Sequence, residues 1–158
     1  PISHNADKPN LLAMLNEGRS FVTYGGHGGE TGWGGPGMSN NDVSTLNHPD
    51  ALPLVTSHAC YTGHFDNSNS FAEVWQRHEN GAIMVWASND LDYWNEGDFL
   101  QRRVYDSIFH HGNLEFGKMG TKAVQDFWLV YGGEGYSKYY WESYHVFGDP
   151  SISFIGFR

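Results

Sequence analysis

The sequence predicts a three-layer α/β/α sandwich with a mainly parallel central sheet, and three observations lead there. Short apolar runs alternate with helical patterns along the chain, as layered α/β folds require. One run, "GAIMVWAS" at 81–88, is continuously apolar over strand length, which suits a sheet buried on both faces. The length, 158 residues, suits one unit able to bury a core without disulfides.

Taken in order, "DKPNLLAMLNEGRS" reads as a helix over 8–17, with Asp7 as N-cap, Pro9 in the first turn and Gly18 as the stop. "SFVTYGG" is a strand ended by glycines. "GGHGGETGWGGPGM" holds too many glycines for a regular element and is expected to be a loop. "SNNDVSTLN" reads as a short capped helix, and "LPLVTSHA" as the second strand. A polar loop runs through Asn69 to "SFAEVWQRHENG", where Phe71, Val74 and Trp75 share a helical face. After the apolar strand, "NDLDYWNEGD" reads as a loop, and "FLQRRVYDSIFHHG" and "GKMGTKAVQDFWLVYG" as helices. "YYWESYHVF" is expected to be helical, and "GDPSISFIGF" to close with a turn and a strand. Trp75, Trp86 and Trp128 are expected in the core, and Trp33 either lines a pocket or lies over the sheet edge.

Net charge is -9, from 9 Lys+Arg against 18 Asp+Glu, so nucleic acid is not an expected partner. No apolar stretch approaches the roughly 20 residues of a membrane-spanning helix. A first residue of Pro1 rather than Met fits a processed product or a trimmed chain.

Cys60 is the single cysteine, in "LPLVTSHACYTGHFDN". Three roles are open to it: packing residue, zinc ligand with His58 and His64, or nucleophile. His27 and Cys60, 33 residues apart, each follow an apolar strand. If the strands are parallel neighbours, both side chains open on the sheet edge where α/β folds bind ligands. An imidazole there can take the thiol's proton and later protonate a leaving amine. The amides of Gly28 and Cys60 are candidate donors to a tetrahedral oxyanion.

The blocks "FVTYGGHGGETGW" and "LPLVTSHACYTGHFDN", each apolar and ending in His-Gly or Ala-Cys, resemble the signature of caspase-like cysteine peptidases, and most of all the gingipain family, peptidase family C25. The likeness continues through "SFAEVW", "GAIMVWASNDLDYW" and "YYWESYHVFGDPS". It implies a caspase-like fold and a cysteine endopeptidase cutting after a basic residue, with His27 as general base, Cys60 as nucleophile and Gly28 in the oxyanion hole. Trp94 matches the aromatic flanking the primary specificity pocket. The family has an acid a few residues after this tryptophan in a tighter "WGED"; here the sequence reads "WNEGD", and Glu96 or Asp98 is either the matching pocket acid or a solvated loop acid.

The family's acid that orients the histidine comes from upstream, and only 26 residues precede His27. Glu30 is the nearest internal candidate. The alternatives are a missing N-terminal subdomain, a second processed chain, or a dyad that suffices alone. The resemblance further implies a protein or peptide substrate, a bacterial secreted or cell-surface location, and structural calcium, for which Asp66, Asp90, Asp92, Asp98 and Asp149 are candidate ligands. A different class of reading is an inactive peptidase-like module that binds peptide or a partner chain.

Overall fold

The computed structural model describes residues 7–48, 52–66 and 69–153. Helix α1, Lys8–Asn16, starts where the Asp7 carboxylate accepts from the Asn10 amide at 2.9 Å, with Pro9 in its first turn. Strand β1, Phe21–Gly25, follows. The glycine-rich segment then departs from the expected loop. It forms a miniature antiparallel sheet of β2 (Gly28–Gly29), β3 (Gly32–Trp33) and β4 (Met38–Ser39). Glycine is needed at 32 because a Cβ there would lie 2.1 Å from the Met38 carbonyl oxygen.

Helix α2, Asn40–Val43, is opened by a capping box in which the Ser39 amide donates to the Asp42 carboxylate at 2.8 Å. Strand β5, Leu54–His58, is buried throughout. Helix α3, Phe71–Arg77, begins with a second capping box between Ser70 and Glu73. It leads into the equally buried strand β6, Met84–Ser88.

Helix α4, Trp94–Phe109, starts earlier than expected and takes in the "WNEGD" stretch read as loop. Glu96 in its first turn favours that start through the helix dipole. Helix α5 spans Phe116–Tyr131. The aromatic segment expected to be one helix divides into α6, Tyr136–Ser143, and strand β7, Tyr144–Phe147. The alternative partner is the open edge of β6, with which β7 pairs antiparallel from Ser88↔Tyr144 to Val85↔Phe147. Beyond it only a single bridge, Glu115↔Ser153, is formed among the described residues, and the rest of the expected closing strand lies outside them.

The main sheet has the order β1-β5-β6-β7, with the first three strands parallel. Alternate side chains face opposite layers. Val22, Val55, Val85 and Ala87 pack with Leu15, Val43, Phe71 and Trp75 on one face. Leu54, Met84 and Trp86 pack with Leu100, Val104, Met119, Phe127 and Tyr140 on the other. Trp75 and Trp86 are core as expected; Trp33 is buried and lines a cavity beside α1 and β1, whereas Trp128 is 44% exposed. It sits on the outward face of α5, beside Leu129 and Val130, which are also exposed.

Because β1, β5 and β6 are parallel, the loops leaving them emerge on one edge. These carry His27, Cys60 and Asp92 respectively.

Candidate active site

Strand β5 ends at His58, so Cys60 stands in a turn rather than on an extension of the strand. That turn is tightly tied. Tyr61 adopts a φ of 58°, a left-handed conformation that side chains other than glycine seldom take. The Tyr61 amide donates to the Asp90 carbonyl at 2.9 Å, and the Gly63 amide to the Ser88 carbonyl at 2.8 Å. Inside the turn, the Thr62 hydroxyl donates to the Ala59 carbonyl at 3.1 Å and lies 2.8 Å from Ser57 Oγ. Ser57 Oγ in turn accepts the Trp33 indole N–H at 2.9 Å. The half-buried sulfur accepts from the Asp92 amide at 3.3 Å and donates to the Asp92 carbonyl at 3.5 Å.

The His27 loop is fixed through its backbone. The Gly26 amide donates to the His58 carbonyl at 3.1 Å, tying the loop to the cysteine's own strand. The His27 carbonyl accepts from the Gly34 amide at 2.7 Å and from the Tyr24 hydroxyl at 2.8 Å. Its imidazole is exposed and meets the Trp94 ring edge-on, centroids 5.5 Å apart. Gly28 seats the loop against the cysteine turn: a Cβ there would lie 2.7 Å from Ala59 Cβ and 3.1 Å from the Cys60 carbonyl oxygen. Since Gly34 donates to His27, Gly28 falls at the next, non-hydrogen-bonded position of the β2–β3 ladder, with its amide turned away from β3.

His27 and Cys60 line one cavity of about 360 Å³, together with His58, Asp92, Trp94 and Asp98. The other sequence-derived residues separate. Asp98, 55% exposed, pairs with Arg102 at 2.9 Å. Glu96 is half-buried and does not line the cavity. Glu30 Oε1 lies 3.1 Å from His64 Nδ1, so this carboxylate serves His64. His64 thereby parts from His58, which is buried between Trp86 and Tyr144. Among the described residues no three His, Cys, Asp or Glu side chains form a metal-binding group. Neither the zinc cluster nor the five aspartates assembles a site by itself. Asp149, for one, caps a turn by accepting from the Ser151 amide and hydroxyl.

Sequence reading considered Asp92 only as a calcium ligand and not as an acid of this cavity. Its carboxylate accepts from the Tyr144 hydroxyl at 2.8 Å and the Tyr140 hydroxyl at 3.1 Å. Burial raises its pKa to about 6, against the lowering effect of the two tyrosines, with Glu96 adding to the rise. Gly97 leaves room for it, since a Cβ there would come within 2.7 Å of Oδ2. Burial holds His58 neutral, its pKa lowered to about 3. The only signal in the sequence was an acid two residues before Trp94, which no local pattern singles out.

The parallel sheet, flanking helices, thiol and imidazole at its carboxyl edge define the class: a caspase-like α/β sandwich. The chain belongs to peptidase family C25, whose family model matches residues 2–155. It is 29% identical to Lys-gingipain of Porphyromonas gingivalis over 87% of this chain and 9% of that protein. Identity to gingipain R2 of the same species is 28%, over 90% of this chain and 20% of the relative. The chain thus spans a minor part of either relative. The crystal structure of the Arg-specific cysteine proteinase gingipain R superposes with a TM-score of 0.85 at 27% identity, covering 93% of this chain and 36% of that one. A complex of the pro- and mature domains of the Porphyromonas gingivalis protease RgpB superposes with the same score at 25% identity, over 93% of this chain and 37% of that one.

Proposed function

We propose that this chain is the catalytic part of a cysteine endopeptidase that cleaves after a basic residue through a Cys60–His27 dyad. The observation that carries the reading is that thiol and imidazole line one cavity at the carboxyl edge of parallel strands. His27 takes the proton from Cys60 Sγ, and the thiolate attacks the scissile carbonyl carbon. The amides of Cys60 and Gly28 receive the oxyanion. As the C–N bond breaks, His27 returns its proton to the departing amine, leaving a thioester on Cys60. A water then gives a proton to His27 and attacks the thioester, and on collapse the proton returns to sulfur and a carboxylic acid leaves.

The substrate is a protein or peptide, and the net charge of -9 favours a basic one. A secreted or cell-surface location in a bacterium accords with the family resemblance. The acid orienting His27 is assigned to a segment outside this chain, because Glu30 is engaged by His64. Structural calcium, the other expectation from the family, would draw on ligands beyond the five aspartates.

The test is labelling with peptidyl chloromethyl ketones bearing Arg, Lys, Asp or Leu, with the adduct located by mass spectrometry. Rapid adduct at Cys60 with a basic probe, lost in His27→Ala, is the expected result. A Cys60 no more reactive than a free thiol toward every probe would overturn the reading in favour of a peptide-binding module, for which the exposed His27 ring is the supporting observation.

A further inference from the structure

Resting on that peptidase reading, we infer that Asp92 is a positioning residue for the nucleophile: its side chain is anchored by Tyr140 and Tyr144 so that its peptide groups hold the Cys60 sulfur in place. The reaction above makes no use of this carboxylate, although taking it out of water is costly.

The sulfur is held on two sides by one residue. The Asp92 amide donates to it at 3.3 Å, and the Asp92 carbonyl accepts from it at 3.5 Å. Among the described residues the main chain of Asp92 makes no other hydrogen bond. The preceding loop is tied elsewhere, the Asp90 carbonyl to the Tyr61 amide and the Leu91 carbonyl to the Tyr139 hydroxyl. Residue 92 itself is fixed through its side chain and through the peptide that follows it.

Tyr140 supplies both of those anchors. Its hydroxyl accepts from the Tyr93 amide at 2.9 Å and donates to Asp92 Oδ1 at 3.1 Å. The Tyr93 N–H and the Asp92 C=O belong to one planar peptide unit, so a bond that fixes the first also fixes the second, which meets the sulfur. Tyr144 donates to Oδ2 at 2.8 Å. Having spent its proton there, it can only accept from His58 Nδ1, 3.2 Å away. His58 ends β5, two residues before the cysteine. The chain of bonds thus ties the nucleophile's own strand to the residue that grips its sulfur. With a pKa of about 6 the Asp92 carboxyl is ionised at neutral pH, so both oxygens accept. Tyr140 and Tyr144 are buried, and neither lines the cavity. Loss of either hydroxyl would therefore reach the thiol through residues 92 and 93 rather than through contact with substrate.

The experiment measures kcat and KM on a peptide with arginine before the cleaved bond, counted per site titrated by the Arg chloromethyl ketone. The proteins are the wild type, Asp92→Ala, Tyr140→Phe, Tyr144→Phe and the double variant Asp92→Ala/Tyr144→Phe. Each single variant is expected to lower kcat about tenfold or more while KM moves less than about threefold, because the thiol is displaced and substrate binding is not. The phenylalanine variants keep the packed rings, so the test stands even if Asp92→Ala fails to fold. Adding Tyr144→Phe to Asp92→Ala should cost less than about twofold more, since both remove the same tie. The Arg-to-Leu ratio of chloromethyl ketone labelling should stay within about threefold of wild type in every variant. Unchanged kcat in both tyrosine variants, a raised KM or a collapsed Arg-to-Leu ratio in place of the kcat loss, or losses that multiply in the double variant would each overturn the inference while leaving Cys60 and His27 in their roles. A wild type that no probe labels at Cys60 overturns the peptidase reading and the inference with it.

Discussion

The two loops that carry His27 and Cys60 are built to opposite standards. The Cys60 turn has a left-handed residue, two amides bonded to the exit of β6, an internal hydroxyl pair and a sulfur held by the Asp92 main chain. The His27 loop has its backbone pinned, but among the described residues its exposed ring has only the edge-on contact with Trp94. In the proposed reaction Cys60 needs a fixed approach to the carbonyl, and the local bonds of its turn supply it. The ring's orientation and tautomer need a polar partner, and this chain places its nearest loop acid, Glu30, on His64.

The comparison breaks most sharply by removing each group in turn. Cys60→Ser is expected to reduce peptide hydrolysis on the order of a thousandfold or more, and His27→Ala by roughly 10² to 10⁴, measured as kcat/KM on a peptide with a basic residue before the cleaved bond. If His27→Ala were as active as wild type, the loosely held ring would be a bystander.

Next in size is the seam between the loops. Gly28→Ala is expected to destabilise by about 1–3 kcal/mol, because its methyl meets Ala59 and the Cys60 carbonyl. Thermal unfolding checks the stability, and slower alkylation of Cys60 would show that the seam also sets the thiol. Trp33→Phe tests the turn's support from below. It leaves Ser57 Oγ without the indole donor and is expected to cost about 1–3 kcal/mol by denaturant unfolding.

A pH titration of stability sharpens the contrast further. His58, at about 3 when folded, cannot take the proton that an unfolded histidine binds near 6.5. It therefore lowers stability progressively as pH falls from about 6.5 toward 3. Asp92 acts oppositely, since its raised pKa makes its contribution full below the unfolded value of 3.8 and lost as pH rises through about 6. Unfolding of His58→Gln should thus be less acid-sensitive than wild type, and that of Asp92→Asn more so. The smallest effect belongs to Glu30→Gln, expected to change kcat/KM by no more than about threefold and to match His64→Ala. A large loss in the first but not the second would give Glu30 back to His27.

Legibility followed the range of the interactions. Asp7, the Ser39–Asp42 and Ser70–Glu73 boxes and the buried runs of β5 and β6 act within a few residues, so pattern reading located those elements. The glycine segment was misread because two-residue strands leave no periodicity, and β7 because its strand state depends on the free edge of β6. Trp128 misled because an aromatic on a helical pattern does not reveal which face the neighbouring layers cover.

By itself the sequence determined the layered fold and the two loops that bear His27 and Cys60, since apolar runs and glycine stops are local consequences of composition. Only the tertiary structure decided what those groups meet. Asp92, His58, Tyr140 and Tyr144 come from four separate elements. Their shared proton arrangement exists only where parallel strands, an antiparallel partner and a packed helix bring them to one edge.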